Sequence, residues 1–171
     1  MDAGYRVRIP NAVSLSSPDM RASEIAEQHC SIARPAALLG DRWTLVILRQ
    51  AFNGIKRFED FQSSLEISRS LLSERLGRLV DAGVLRREPY KDSVRTRDRY
   101  RLTEKGLDLY PVLMALREWG DRYMADDGPP LKIRHKGCGG EPTIELRCSK
   151  CGEEVGARDA EARPGPGLKA A

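Results

Sequence analysis

His135 and Cys138, then Cys148 and Cys151, form two pairs of metal-ligating side chains, each with two residues between its members and nine residues between the pairs. Three sulfurs and one imidazole nitrogen are the donor set of a tetrahedral structural zinc site, which leaves no coordination position open for hydrolysis. Gly137, Gly139 and Gly152 allow the tight turns that direct backbone N–H groups toward thiolates. The expected cofactor is therefore zinc. The competing reading is a small flap of reduced or disulfide-bonded cysteines, in which Cys148 and Cys151 alone make a redox pair. Cys30 lies outside this cluster, just before the first apolar helix pattern. A thiol there is a candidate redox sensor, and the bland reading is a partly buried small residue.

A second, electrostatic chemistry is concentrated between Val84 and Lys105. Eight basic residues (Arg86, Arg87, Lys91, Arg95, Arg97, Arg99, Arg101, Lys105) stand there against four acidic ones, which equals the whole chain's excess of +4. A field of that kind favours a polyanion. Arg95, Arg97 and Arg99 alternate along a predicted strand, so all three project from one face and suit a phosphate backbone. A solubilising hairpin paired with Glu88, Asp92 and Asp98 is the alternative. Just upstream, Leu72, Leu76, Leu79 and Val80 fall on one side of a predicted helix capped by Ser68, with Ser70, Glu74, Gly77, Arg78 and Asp81 opposite.

The elements that would position these groups follow from periodicity. Residues 1–20 read as a mobile arm, leading into a short helix near Arg21 to Gln28. Leu38, Leu39, Trp43, Val46, Ile47 and Leu48 recur at helical spacing, broken at Gly40 and Asp41 and ended by Asn53-Gly54. Phe58, Phe61 and Leu65 predict a second short helix. Leu107, Tyr110, Leu113, Met114, Leu116, Trp119 and Tyr123 predict a long closing helix with more apolar surface than a small domain needs, which points to a homodimer seam. Trp43, Phe58, Phe61 and Trp119 are expected in the core, since aromatic residues at helical spacing usually pack. Asp126 to Pro130 is a linker, Thr143 to Leu146 reads as a strand between the two ligand pairs, and residues 159–171 read as a disordered tail.

The order of motifs resembles the HxlR-type family of bacterial winged helix-turn-helix regulators. The matching residues are Cys30, Gly40, Trp43 and Leu45, then Gly54 and Arg57-Phe58-Glu59-Asp60-Phe61, then Ile67-Ser68, Leu72, Arg75-Leu76, Leu79 and Gly83. Tyr100 through Gly106 and Trp119-Gly120 complete the match, over roughly residues 30–125. The resemblance implies a dimeric transcription factor with contacts from its N- and C-terminal helices, a tendency to repress, and in several members a sensing cysteine near the N-terminus. Ser31 stands where the family often has Pro, and the wing is longer and richer in Arg. Residues 131–158 resemble a zinc ribbon appended to that frame.

In a winged helix the first turns of the recognition helix approach base edges. Ser68 begins that helix, and Arg69, Ser70, Ser73 and Glu74 are then candidates for readout: Arg toward guanine, Ser toward bases or phosphates, Glu toward cytosine. A solvated helix face is the plainer alternative for each. Arg75 and Arg78 are expected at phosphate or at a neighbouring carboxylate, and Arg57 with Lys56 at phosphate. The expected fold is mainly α with a small β-hairpin wing (α+β). It comprises a winged helix-turn-helix over residues 21–126, a long C-terminal dimerisation helix, and a small Cys/His ribbon.

No Walker loop, G-x-S-x-G, H-E-x-x-H or strand-linked G-x-G-x-x-G is present, and His29 and His135 are the only histidines, so an enzyme is not expected. No apolar run approaches the ~18 residues of a membrane span, and the first thirty residues lack a signal-peptide core, so a cytoplasmic protein is expected. The expected partners are double-stranded DNA, read as a pseudo-palindrome, and a second copy of the chain. The rival is a zinc-ribbon and winged-helix module that binds protein instead of specific DNA.

Overall fold

The computed structural model describes residues 30–92, 95–163 and 165–167. The expected N-terminal arm and the short helix before Cys30 lie outside the described residues. Four helices come first: α1 (Ala33–Leu39), α2 (Arg42–Phe52), α3 (Phe58–Leu65) and α4 (Arg69–Asp81). An antiparallel hairpin of β1 (Leu85–Lys91) and β2 (Thr96–Leu102) follows, then α5 (Glu104–Leu107) and α6 (Tyr110–Tyr123).

Each boundary has a local cause. Gly40 and Asp41 separate α1 from α2 because the Asp41 carboxylate turns back to accept the N–H groups of Trp43 and Thr44, at 3.0 and 3.2 Å, and so caps α2. Ser68 Oγ accepts the N–H of Leu71 and starts α4 as expected. The turn before it is tight, since Glu66 takes a left-handed conformation (φ 51°) that a side chain adopts only at some cost. The closing helix is shorter than its apolar spacing suggests: Leu107 belongs to α5, and Pro111 sits in the first turn of α6, where its missing N–H is harmless.

The core sits where α2, α3 and α4 meet the hairpin. Ile47 and Leu48 of α2, Phe61 of α3, and Leu72, Leu76 and Leu79 of α4 are fully enclosed, with Val84, Leu85 and Tyr100 closing the hairpin side and Leu113 the α6 side. Tyr100 meets Phe61 edge to face, with ring centres 6.5 Å apart. The hairpin is also anchored by backbone: Tyr100 N–H donates to the Lys56 carbonyl at 2.7 Å, and Arg57 bridges Arg99, giving β2 a one-residue third edge ahead of α3. Trp43 and Phe58 are half-buried against the core, but Trp119 is not a core residue. It is 54% exposed on α6, with Val112, Leu116 and Tyr123 also exposed, because only the Leu113 and Met114 side of that helix faces the domain.

The C-terminal segment forms turns and one isolated bridge between Arg147 and Glu154. The strand expected over Thr143 to Leu146 is absent: of these residues only Leu146 finds a backbone partner across the turn, its carbonyl accepting the Val155 N–H at 2.8 Å. The described residues of the expected tail are exposed and carry no helix or strand. No helix among the described residues is long and apolar enough to cross a membrane.

Candidate nucleic-acid interface

The N-terminal half of α4 presents polar side chains away from the core. Leu72, Leu76 and Leu79 turn inward, which leaves Ser68, Arg69, Ser70, Ser73 and Glu74 exposed along one stretch of helix surface. The Arg69 guanidinium lies over the Phe58 ring, 4.9 Å from its centre, a contact that orients the side chain while leaving its N–H edges available. Ser68 and Ser70 hydroxyls lie 3.4 Å apart.

Farther along the same helix the arginines are committed to the fold. Arg75 donates through Nε to Asp41 at 2.9 Å and also pairs with Glu74, and its side chain is only 14% exposed. Of the two fates expected for Arg75, it takes the carboxylate. Burial raises the Asp41 carboxyl, but the Arg75 guanidinium and the Thr44 and Trp43 N–H groups together outweigh that and hold it below the ordinary carboxylate range. Arg78 meets no carboxylate among the described residues: its guanidinium donates to the Ala37 carbonyl at 3.0 Å. Both arginines therefore fasten α4 to the α1–α2 corner.

The hairpin register places Arg86, Glu88 and Tyr90 opposite Arg101, Arg99 and Arg97, so these six side chains share one face. Glu88 sits at its centre. Arg86 donates to it at 2.8 and 3.0 Å, Arg99 at 3.1 Å and Arg101 at 3.4 Å. The Arg86 hydrogen bonds, the Arg101 charge and the Arg99 hydrogen bond hold the Glu88 carboxyl below its usual range. Three guanidiniums around one carboxylate still leave two positive charges. Arg97 is differently placed: it donates to Glu59 at the start of α3 at 2.6 Å and lies 3.5 Å from Asp92. Arg57 stacks on Tyr90, 5.1 Å from the ring centre. Arg95 is exposed just ahead of β2. The expected comb of Arg95, Arg97 and Arg99 is thus interleaved with acids, and Arg86 and Arg101, counted in the basic field but not in the comb, share its face. The strand parity that selected Arg97 and Arg99 selects Arg101 too.

Such solvent-screened ion pairs contribute little to stability. A phosphate can therefore replace Glu88 as the partner of these guanidiniums at little cost to the fold.

The cysteines occupy two places. Cys30 is half-buried ahead of α1, and its sulfur accepts the Ala33 N–H at 3.4 Å. That N–H, with the Ile32 N–H, lowers the thiol from its ordinary value against a smaller opposing effect of burial. At the other end, His135 Nδ1 lies 3.3 Å from Cys138 Sγ. Cys148 is held low by the N–H groups of Cys151 and Lys150 and by the Cys151 thiol. All four cysteines are free thiols. The two pairs do not meet: among the described residues no three His, Cys, Asp or Glu side chains are grouped closely enough to share a metal ion.

A helix pair joined through the turn at Glu66 to Ser68, whose second helix exposes its first turns beside a cationic hairpin, defines a winged helix-turn-helix protein. The chain belongs to the HxlR-like helix-turn-helix family, whose profile matches residues 38–127. It is 46% identical over 141 residues to the uncharacterized HTH-type transcriptional regulator Rv3095 of Mycobacterium tuberculosis, covering 82% of this chain and 89% of that one. That span cannot be contained in residues 1–127, so the likeness runs into the C-terminal segment. Among solved structures, PA1607, titled a candidate transcription factor, superposes with a TM-score of 0.74 at 34% identity, over 82% of this chain and 98% of that chain. The redox regulator HypR in its reduced form matches with a TM-score of 0.50 at 28% identity, over 54% of this chain and 92% of that one.

Proposed function

We propose that this protein is a homodimeric transcriptional repressor that binds a pseudo-palindromic operator through two copies of α4 and responds to thiol oxidants through Cys30. The observation that carries the DNA-binding reading is the exposed first turns of α4, with Arg69, Ser70, Ser73 and Glu74 uncovered, set on one rigid frame with the cationic face of the hairpin. In this reading Arg69, Ser70, Ser73 and Glu74 address base edges, Ser68 reaches the backbone, and Arg57, Arg95, Arg97 and Arg99 answer to phosphate. Arg75 and Arg78 position the helix. The relatives support regulation, one being named an HTH-type transcriptional regulator and another a redox regulator.

The test is a fluorescence anisotropy titration against DNA upstream of the protein's own gene, with an unrelated duplex of equal length as competitor. Tight, competitor-resistant binding that weakens steeply with salt is the expected result. Binding that is shallow in salt and fully competed would overturn the reading at that site and favour a protein partner. In a second arm, diamide is expected to release DNA from the parent protein and not from Cys30→Ser. Equal release from both would remove Cys30 from the mechanism.

The exposed apolar stripe of α6, comprising Val112, Leu116, Trp119 and Tyr123, is the surface assigned to the dimer. Trp119→Glu is expected to convert a dimer to a monomer by light scattering and to weaken operator binding at least tenfold, since both half-sites must be engaged. A Trp119→Glu dimer of unchanged mass would place the seam elsewhere.

A further inference from the structure

We propose that His135 Nδ1 and the sulfurs of Cys138, Cys148 and Cys151 bind one zinc ion, which fastens two like turns into a closed structural site beside α6. The inference is independent of DNA binding and rests on the turns themselves.

The two ligand pairs are built on the same backbone. In the first turn, the His135 N–H donates to the Gly140 carbonyl and the Gly139 N–H to the His135 carbonyl, both at 2.8 Å. In the second, the Cys148 N–H donates to the Glu153 carbonyl and the Gly152 N–H to the Cys148 carbonyl, both at 2.9 Å. Offsets and hydrogen bonds are identical. The residue after each second ligand is a glycine at positive φ, 77° at Gly139 and 76° at Gly152, where a side chain would be strained. A Cβ at Gly137 would come within 3.2 Å of the His135 ring. Two unrelated flaps have no physical reason to share this geometry. Two halves of one metal site do.

The spacing within the first pair already fits an ion. Zn–S of ~2.3 Å and Zn–N of ~2.05 Å at a tetrahedral angle separate the two donors by ~3.6 Å, and His135 Nδ1 lies 3.3 Å from Cys138 Sγ. The metal has then to bring the second turn to the first. Little resists that movement, because the nine residues between the pairs carry no buried side chain and are held to α6 only by the exposed hydrogen bond from the Ile144 N–H to Glu118.

Energetics point the same way. Between residues 131 and 158 no side chain is buried, and only Ile133, Cys148 and Val155 are half-covered. A piece of chain this size with no apolar core needs a covalent or metal fastening to hold one shape. On binding, three thiols release their protons to solvent and a neutral imidazole lends its lone pair, so the site carries one net negative charge. Lys132, Arg134, Lys136, Arg147 and Lys150 lie near it in sequence, against Glu141, Glu145, Glu153 and Glu154, and a Glu153 carboxylate oxygen stands 3.8 Å from the Cys151 sulfur. The segment is tied to α6 by the Arg117 guanidinium, which donates to the Leu131 carbonyl at 2.9 Å, and by Glu118, which accepts the Ile144 N–H at 3.3 Å.

The experiment uses the full chain, purified without chelator under reducing conditions, with zinc counted by mass spectrometry and cobalt used as a spectroscopic substitute. One zinc per chain is expected. Cobalt should give the intense visible bands of a tetrahedral ion together with thiolate-to-metal charge transfer. Cys138→Ser and Cys151→Ser are each expected to lower zinc content to about a tenth, while Cys30→Ser keeps the full equivalent. Far-ultraviolet circular dichroism of each variant checks that the helices remain. A helical chain that takes up neither metal would overturn the proposal, as would a full equivalent retained by Cys138→Ser or a Cys148 to Cys151 disulfide in the freshly purified protein.

Discussion

Gly106→Ala is expected to lose about 3 kcal/mol of stability or more, read as a lowered urea midpoint with an unchanged slope. Gly106 is buried in α5, and a Cβ there would stand 2.2 Å from the Val84 carbonyl oxygen and 3.0 Å from a Leu102 methyl. The Val84 carbonyl cannot retreat. Val84 is 2% exposed, and its carbonyl accepts both the Thr103 N–H at 3.1 Å and the Thr103 hydroxyl at 3.2 Å, while that hydroxyl also donates to Gly83 at 2.7 Å. Thr103 Oγ1 in turn accepts the Gly106 N–H at 3.1 Å and caps α5. Relief of the clash therefore breaks the knot that joins the end of α4, the hairpin and α5. Gly77→Ala is the control, because nothing lies within 4 Å of its Cβ position and a helix interior favours alanine. A Gly106→Ala midpoint equal to that of the parent would show that α5 slides freely over Val84.

The second large effect concerns the hairpin. Arg99→Ala with Arg101→Ala is expected to weaken DNA binding roughly a hundredfold at low salt and to reduce the salt slope by about four in a dimer, which carries each change twice. Both guanidiniums reach Glu88, so the matched variant is Glu88→Gln, which keeps the shape and frees Arg86, Arg99 and Arg101. It should tighten binding and steepen the slope. Stability should change little in either variant, since solvent-screened pairs contribute little. If Glu88→Gln weakened binding, the carboxylate would be organising the arginines rather than competing for them.

The frame of this molecule could be read from the chain wherever a pattern repeats at a fixed interval. Leu72, Leu76 and Leu79 lie one helical turn apart, and Ser68 stands where a cap must stand, so the start of α4 was legible to the residue. Arg75 was not. Its partner Asp41 is 34 residues away, and no local rule joins a helix cap to a guanidinium two helices later. The third edge beside β2 is one bridge long, too short for alternation to register. Trp119 has the spacing of a core residue, because periodicity shows that a stripe exists without showing what covers it. Thr143 to Leu146 has the composition of a strand but finds a backbone partner across the turn only at Leu146. The pairing of Arg97 with Glu59 likewise depends on how the hairpin lies against α3.

Along α4 two tasks fall on separate residues. Arg75 and Arg78 hold the helix in place through Asp41 and Ala37, whereas Arg69, Ser70 and Ser73 face outward and take no part in the core. Substitutions at the outward positions should alter stability by less than about 0.5 kcal/mol. Duplicated copies of such a gene can thus diverge at a few codons near the start of one helix and acquire new targets, while the scaffold that displays them is inherited intact.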